Sequence, residues 1–530
     1  MQTPLVRRFL ARYLIEASFS SCGNIVCMNV ALSIREMLNL SPIFHTKCIR
    51  SIERRELSTF EWIGLYKSDC PCAKYSMFSC IISRSSFERN SDAKSEIFID
   101  SPKKMAKFAI NFILDKMYAS RKYTYIDLFA GTSALSEGFL RCGFVPVAHV
   151  EMNSDACYTI KTRLAYHYLK ENDSYCNYLK YLKREISREE LYRLLPKGLI
   201  SSVINKEISD ETTESIFDSI DSILKRQRRK RVDFIVGGPP CQAFSMLNRH
   251  NTSIADDKRC LLYLQYGKFL SKYKPMGFVF ENVLGLLSSK KNHFENIKTH
   301  FRELGYKVHF TILNSSDYGV MQNRQRVIIF GWRKSSDRGC PIIQKVQNDW
   351  TCKDIFSDLP SICAGESSSE YSSAPSDYLR RFHLRNDSDI LTLHTARPIN
   401  HIDTEKYRMA VKMWLNDGIR IKNSDFPSEI RTINNTTSFL DRFKVVDLNG
   451  KCHTVVAHIS KDGHYYIYPS INTIRSISVR EAARIQSFPD DFFFEGSRSS
   501  MFKQIGNAVP PLMAYAIAKA ILKSLCLKTI

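Results

Sequence analysis

The stretch that decides the fold is VDFIVGGPPCQAFS, residues 232–245. Val232, Phe234, Ile235 and Val236 have the β-branched and aromatic character of a short buried strand, and the run from Gly237 to Pro240 cannot continue it. Cys241 therefore sits just past the carboxyl end of a strand, where open α/β sheets place their ligands. From this stretch alone two readings stay open: a thiol presented to a ligand, or one more small core hydrophobe.

Upstream, YTYIDLFAG (123–131) reads as a strand and TSALSEGFLRCGF (132–144) as a glycine turn followed by a helix. Thr132 or Ser133 is placed to cap that helix, Leu135 and Phe139 face inward, and Gly143 ends it. The turn brings backbone N–H groups and the strand-end acid Asp127 to the sheet's carboxyl edge, which suits a nucleoside-bearing cofactor. The next strand, FVPVAHVEMN (144–153), ends in Glu151, about twenty residues past the turn, where an acid binds ribose hydroxyls.

Downstream, MGFVFENV (276–283) is a strand ending in Glu281 and Asn282, so three strands are expected to deliver Glu151, Cys241 and Glu281 to one sheet edge. Asp257 is placed to cap a preceding helix that carries Leu262, Tyr266, Phe269 and Tyr273 on one face. KVHFTILNSSDYGVMQNRQRVIIFGWR (307–333) reads as two β runs joined by a turn with Asp317 and Gly319. Arg324 and Arg326 alternate with Gln325 and so should point to one side, suiting an anionic or hydrogen-bonding substrate.

Residues 155–231 read as helices and polar connections, closing on the basic run KRQRRKR (225–231), taken as a solvated face. From Lys334 to Asn449 the texture changes to a serine-rich loop, GESSSEYSSAPS (365–376), and a stretch made basic by Arg380, Arg381, His383, Arg385 and Arg397. This is the candidate for a separate small nucleic-acid-binding domain. RSISVREAARIQSFPDDF (475–492) reads as a helix ended at Pro489. QIGNAVPPLMAYAIAKAILKSL (504–525) leads into a last helix with Pro511 in its first turn, whose Ala514, Ala518, Ile521 and Leu525 face should pack back on the sheet.

The chain has 530 residues, 44% hydrophobic and 25% charged, enough for two or three domains with a sizeable core. Its 76 Lys and Arg against 54 Asp and Glu leave a net charge of +22, which points to a polyanionic partner. No run of about 18 apolar residues occurs, so no membrane span is expected. The 16 cysteines lack the spacing of a disulfide framework, and a reducing cytoplasm is the expected setting. Cys70 and Cys72 are closely paired without a second pair, so no metal is expected. The first hundred residues carry no motif with a chemistry. They open on a basic stretch with Arg7, Arg8 and Arg12, either a targeting peptide or an ordinary amphipathic helix, and a helix is expected from Lys103 with Met105, Phe108 and Phe112 on one face.

Taken in order, DLFAG, GGPPCQAFS, ENV, QNRQR, REAARIQSFPD and QIGNAVPP resemble six motifs of the C5 cytosine DNA methyltransferases, particularly the bacterial restriction-modification enzymes, over roughly residues 123–525. The resemblance implies an α/β, Rossmann-like S-adenosylmethionine-dependent methyltransferase sheet domain with a smaller, mixed target-recognition domain. The implied division is an appendage at 1–102, a catalytic and cofactor-binding domain at 103–334, a target-recognition domain at 335–474 and a returning segment at 475–530. It implies that Asp127, Phe129, Gly131, Glu151, Pro240 and Asn507 line the S-adenosylmethionine pocket, with Phe129 against adenine and Glu151 on the ribose. Cys241 becomes the nucleophile, Glu281 the group at N3 and the exocyclic amine of cytosine, and Arg326 a contact to the base carbonyl. The implied partners are double-stranded DNA and a cognate restriction endonuclease, with the chain a monomer in a bacterial cytoplasm, or nuclear or organellar in a eukaryote. Two departures stand out: fewer glycines follow DLFAG than in the family, and no acid for the adenine amine is evident between residues 170 and 231.

The chemistry accounts for these residue types. C5 of cytosine is a poor nucleophile until a thiolate adds at C6, and an acid at N3 stabilises the charge that develops. The alternatives are a transfer-RNA methyltransferase of the same fold and a catalytically silent DNA-binding relative. Intact Cys241, Glu281 and Arg326 argue against the second, and the long basic region before REAARIQSFPD favours DNA over RNA. An amino-methyltransferase is disfavoured because Pro-Pro-Cys stands where that chemistry uses an Asp/Asn-Pro-Pro-Tyr loop.

Overall fold

Apolar runs that bury on both faces build the centre of the molecule, as expected of parallel strands covered by helices on either side. The structure is a computed structural model that describes residues 122–240, 261–289, 292–347, 349–431 and 440–527. Cys241, Asp257, the helix expected from Lys103, the Cys70/Cys72 pair and the basic opening stretch lie outside the described residues.

The strands are β1 (Thr124–Leu128), β2 (Val145–Glu151), β3 (Val203–Asn205), β4 (Phe234–Gly237), β5 (Gly277–Val283), β6 (Tyr306–Asn314) and β7 (Gln325–Arg333). They form one sheet in the order β3-β2-β1-β4-β5-β7-β6. The pairs from β3 to β5 are parallel, while β7 runs antiparallel to both β5 and β6. The main helices are α1 (Ala134–Arg141), α2 (Ser154–Glu171), α3 (Thr213–Arg226), α4 (Leu262–Tyr273), α5 (His293–Glu303), α6 (His401–Asp417), α7 (Val479–Ile485), α8 (Arg498–Asn507) and α9 (Pro511–Leu527).

Side chains alternate between two cores. Ile126, Leu128, Ile235, Phe278 and Phe280 pack with Ile216 and Ile220 of α3, Tyr266 and Phe269 of α4, and Phe301 of α5. On the other face Tyr125, Phe234, Val236, Val279 and Ile328 meet Leu135 and Phe139 of α1 and the expected Ala514, Ala518, Ile521 and Leu525 face of α9. Each large apolar side chain so buried contributes about 1.5–3 kcal/mol. Helix α1 approaches α9 closely because Gly138 has no Cβ to collide with Ala514 and the Tyr515 backbone. The C-terminal helical run, residues 498–526, is long and apolar enough to span a membrane, but 78% of its apolar window is buried here, so its apolarity serves the core.

Several local expectations need correction. The span 155–231 contains a strand, β3, whose three residues are too few to show periodicity. Ser133 stands at the N-cap position of α1 but is left-handed, and its side chain makes no capping bond. Helix α7 ends at Ile485, not at Pro489, because Ser487 takes a left-handed conformation that turns the chain first. The basic run 225–231 is a largely exposed surface, as expected.

The arginines of the 475–492 segment are fully buried, which their helical spacing did not announce. Arg475 forks onto Glu481 at 2.7 and 2.8 Å, and Glu481 also closes the Ser478 capping box of α7. Arg484 pairs with both Asp358 and Asp490 and donates to the Ile355 carbonyl at 2.7 Å. Burial would raise the Asp490 carboxyl, but Arg484 outweighs it and holds that group below its usual range. This network joins α7 to the 352–385 segment, whose Cys352, Ile355, Tyr378 and Leu379 share a core with α7. A separate small core belongs to Tyr407, Ala410 and Val411 of α6 with Ile421, Phe426, Phe443, Val445 and Ile467.

Replacing Arg484 with Met removes the one guanidinium that joins Asp358 to Asp490, leaving Asp358 on Arg385 and Asp490 on Tyr371 and the more distant Arg480. The expected loss is about 3–5 kcal/mol of stability, read as a lowered guanidinium midpoint at unchanged slope. A midpoint equal to the wild type overturns this account of the network.

Candidate active site

The glycines at the end of β4 let three strand ends crowd together. A Cβ at Gly237 would collide with the Leu128 carbonyl of β1, and one at Gly238 would lie 2.5 Å from Glu281 Oε2 of β5. Pairing of Leu128 with Gly237 and of Gly237 with Phe280 sets β1, β4 and β5 in register, so Asp127, Pro240 and Glu281 arrive at the same carboxyl edge. Pro240 is exposed there, one residue before Cys241.

Glu281 is mostly buried, and its Oε1 accepts from Arg326 Nε at 2.7 Å. The pair is diagonal across the antiparallel β5–β7 ladder, where Val283 faces Arg326 and Glu281 faces Ile328. Arg326 also donates through Nη1 to the Gln325 carbonyl at 2.7 Å, leaving the guanidinium plane fixed beside the carboxylate. Arg324 does not share this task, contrary to the expectation of a pair on one side. It lies just before β7, is buried, and donates to the Val455 carbonyl at 2.7 Å and the Gly506 carbonyl at 3.1 Å.

On the other side of β4, the turn after β1 holds Phe129, Gly131 and Ser133 all at positive φ, 53°, 55° and 64°. A bulky residue such as Phe129 in that region costs about 1–3 kcal/mol, a strain that clusters at ligand sites. The turn thus reaches a left-handed geometry with side chains where the family pattern has more glycine. Glu151 ties it to β2: Oε2 accepts from Gly131 N at 2.8 Å and Oε1 from Asn153 N at 2.8 Å. Asn153 in turn caps α2 through Ala156 N. Asp127 Oδ2 and Thr132 Oγ1 are buried without a hydrogen-bond partner among the described residues, an unusual condition that a bound polar ligand would relieve. Burial, reinforced by the Glu151 carboxylate, pushes the Asp127 carboxyl well above its usual range.

Two residues here escaped the sequence reading. Met152, directly after Glu151, is 60% exposed, a large apolar side chain at the mouth of the turn. Past β3, which pairs Asn205 with Glu151, the first acid is the exposed Glu207. Recognising β3 was the missing signal for it. Asn507 is the exposed last residue of α8. In the basic stretch expected to touch nucleic acid, Arg380, Arg381 and His383 are exposed, but two members are structural. Arg385 is buried on Asp358, and Arg397 donates to the Lys461 and Ile459 carbonyls at 2.7 Å.

Because Asp127 keeps its proton to higher pH when folded than when unfolded, its burial costs stability that grows as pH rises from its unfolded value towards its folded one. Asp127→Asn is therefore expected to melt at the same temperature as the wild type in acid and at a higher temperature at neutral pH. Parallel melting curves across that range overturn the assignment of an uncompensated buried acid.

Comparison with known proteins bears on what this edge does. Residues 204–523 match the model of the C-5 cytosine-specific DNA methylase family. The Type II methyltransferase M.Bpa9945I of Bacillus paralicheniformis is 40% identical over 435 residues, covering 75% of this chain and 98% of that protein. Type II methyltransferase M1.HphI of Haemophilus parahaemolyticus is 30% identical over 419 residues, 78% of this chain and 91% of that one. A solved prophage-encoded protein of E. coli, described as a DNA modification methyltransferase, shares the fold with a TM-score of 0.52 at 23% identity, covering 76% of this chain and 100% of its own. The chain belongs to the C-5 cytosine-specific DNA methylase family and is a DNA (cytosine-5-)-methyltransferase.

Proposed function

We propose that the chain transfers a methyl group from S-adenosylmethionine to C5 of a cytosine turned out of duplex DNA, through a transient bond between Cys241 and C6. The observation that carries this reading is the Glu281–Arg326 pair against Gly238, on the same edge as the turn from Asp127 to Gly131. When bound, S-adenosylmethionine supplies the methyl group as an electrophilic carbon on a sulfonium. Asp127, Phe129, Gly131, Glu151, Pro240 and Asn507 hold it, and the unpartnered Asp127 Oδ2 and Thr132 Oγ1 suit its ammonium and carboxylate. Glu151 would hold the ribose hydroxyls, Phe129 and Met152 the adenine, and Glu207 its amine.

The thiolate of Cys241 adds to C6, which makes C5 an enamine carbon able to take the methyl group. Glu281 stabilises the charge at N3, and Arg326 holds both Glu281 and the base carbonyl. A base then removes the C5 proton, and Cys241 leaves with the electrons of its C–S bond as the ring is restored. Extruding the cytosine costs a few kcal/mol, offset by pocket contacts. The basic surface supplies salt-sensitive phosphate affinity. Residues 335–474 read the target sequence, and the separate core that α6 forms with Ile421, Phe426, Phe443 and Val445 favours that part of the span as the reader. The chain acts as a monomer in a bacterial cytoplasm, as the modification partner of a restriction endonuclease for the same site.

Bisulfite sequencing of DNA from cells making the protein is expected to show one methylated cytosine context, with purified protein methylating duplex DNA and leaving transfer RNA unmodified. Cys241→Ser is expected to abolish transfer while binding duplex as the wild type does. Undiminished transfer by that variant overturns the mechanism.

A further inference from the structure

The grip that the 321–326 segment exerts on two distant parts of the chain goes beyond holding Arg326. The peptide at Val455 is taken at both ends: its N–H donates to Gln322 Oε1 at 2.9 Å, and its carbonyl accepts from Arg324 Nη1 at 2.7 Å. Cys452 N donates to the Met321 carbonyl at 3.0 Å, Asn323 N to the Cys452 carbonyl at 2.9 Å, and Thr454 Oγ1 to the Asn323 carbonyl at 2.6 Å. This stretch, 452–456, lies in the chain between Val445 and Ile467 of the small core around α6, while its own Cys452 and Val455 pack in the core of α7 and α8. The same motif holds the end of α8. Arg324 Nη2 donates to Gly506 O at 3.1 Å, and Gln322 Nε2 reaches Gln486 Oε1 at 2.7 Å, whose own Nε2 donates to Ile505 O at 2.8 Å. Gly506 has no Cβ because Val456 and Ala457 lie directly against it.

One guanidinium therefore bridges the carbonyl of Val455, within the span 335–474 proposed above to read DNA, and that of Gly506, one residue before the proposed cofactor ligand Asn507. Two residues further along, in β7, stands Arg326. We propose that Arg324 is a positioning residue that couples DNA engagement to cofactor binding: a shift of the 452–456 stretch on DNA moves the end of α8 and the start of β7 together. The planar fork is what makes this possible, since an ammonium is a point donor and cannot hold two diverging carbonyls in one plane. Such a shared element, biased by both sites, is the physical basis of energetic coupling between them. The inference rests on the reading of the site given above.

The test is a binding cycle that needs no turnover. Affinity for S-adenosylhomocysteine is measured with and without duplex DNA carrying the target context, for wild type, Arg324→Lys and Thr454→Val. In the wild type, DNA is expected to raise that affinity on the order of tenfold. Arg324→Lys should bring the factor close to one and lower kcat at least about tenfold, while Thr454→Val, which loosens one strap on the same stretch, should reduce the factor partially. A coupling factor in Arg324→Lys equal to the wild type overturns the proposal. If Arg324→Lys does not fold, an unchanged factor in Thr454→Val overturns it. Wild-type methyl transfer to the same duplex, measured alongside, separates the two readings: transfer with an unaltered Arg324→Lys sinks only the coupling, and no transfer sinks the proposed function itself.

Discussion

Neither Gly237 nor Gly238 has room for a Cβ, and the working edge of the molecule depends on that. A strand whose end must lie against the Leu128 carbonyl on one side and the Glu281 carboxylate on the other admits no side chain at those two places. The consequence is a narrow junction at which the ends of β1, β4 and β5 meet. Parallel pairing sends all three carboxyl ends to the same side, so the turn after β1, Pro240 and the acid of ENV arrive at one edge without any long-range loop having to reach them. The prolines that follow then prevent the chain from extending the sheet past the junction.

The second constraint is that the sheet's other face is closed by the far end of the chain. Helix α9 fills the side left open by α1, and α7 is held to the 352–385 segment and the loop after it through arginines that are wholly buried. Glu137 illustrates the arrangement: burial would raise its carboxyl, but Arg163 and His167 outweigh this and hold it well below its usual range. Arg163 extends the link to Asp491 at 2.8 Å, in the loop after α7, so the helix that starts at the turn after β1 is tied to the returning segment. Buried ion pairs are weak evidence of stability, because desolvation offsets much of their attraction. Here they specify which distant segments meet.

Much of the fold was legible because its signals are local. DLFAG and the run into GGPPCQAFS each end an apolar strand with residues that cannot continue it, and FENV closes a third apolar run on polar residues, signals visible in a window of a few residues. Glu151 was legible for the same reason, as the terminal acid of its strand. β3 was not, since three residues cannot display a period, and with β3 unread Glu207 had no place on the edge. Arg324 and Arg326 looked equivalent because alternation along a strand reports a side chain's face, not what has packed over it. The last helix was legible by its small and branched face, whereas the arginines of RSISVREAARIQ carry a charge that by composition belongs on the surface.

The sequence by itself determined every strand of the sheet except β3, the identity of the residues at those strand ends and, through six ordered motifs, the chemistry they are suited to. Only the tertiary structure decided which arginine faces Glu281 and which holds two carbonyls, where the acids Asp358 and Asp490 find their cation, and which part of the 335–474 region has a core of its own. The physical reason is one of range. Strand ends and turns are set by backbone sterics between neighbours in the chain. The partner of a buried charge is set by whichever distant segment the folded sheet brings against it, and no local pattern encodes that choice.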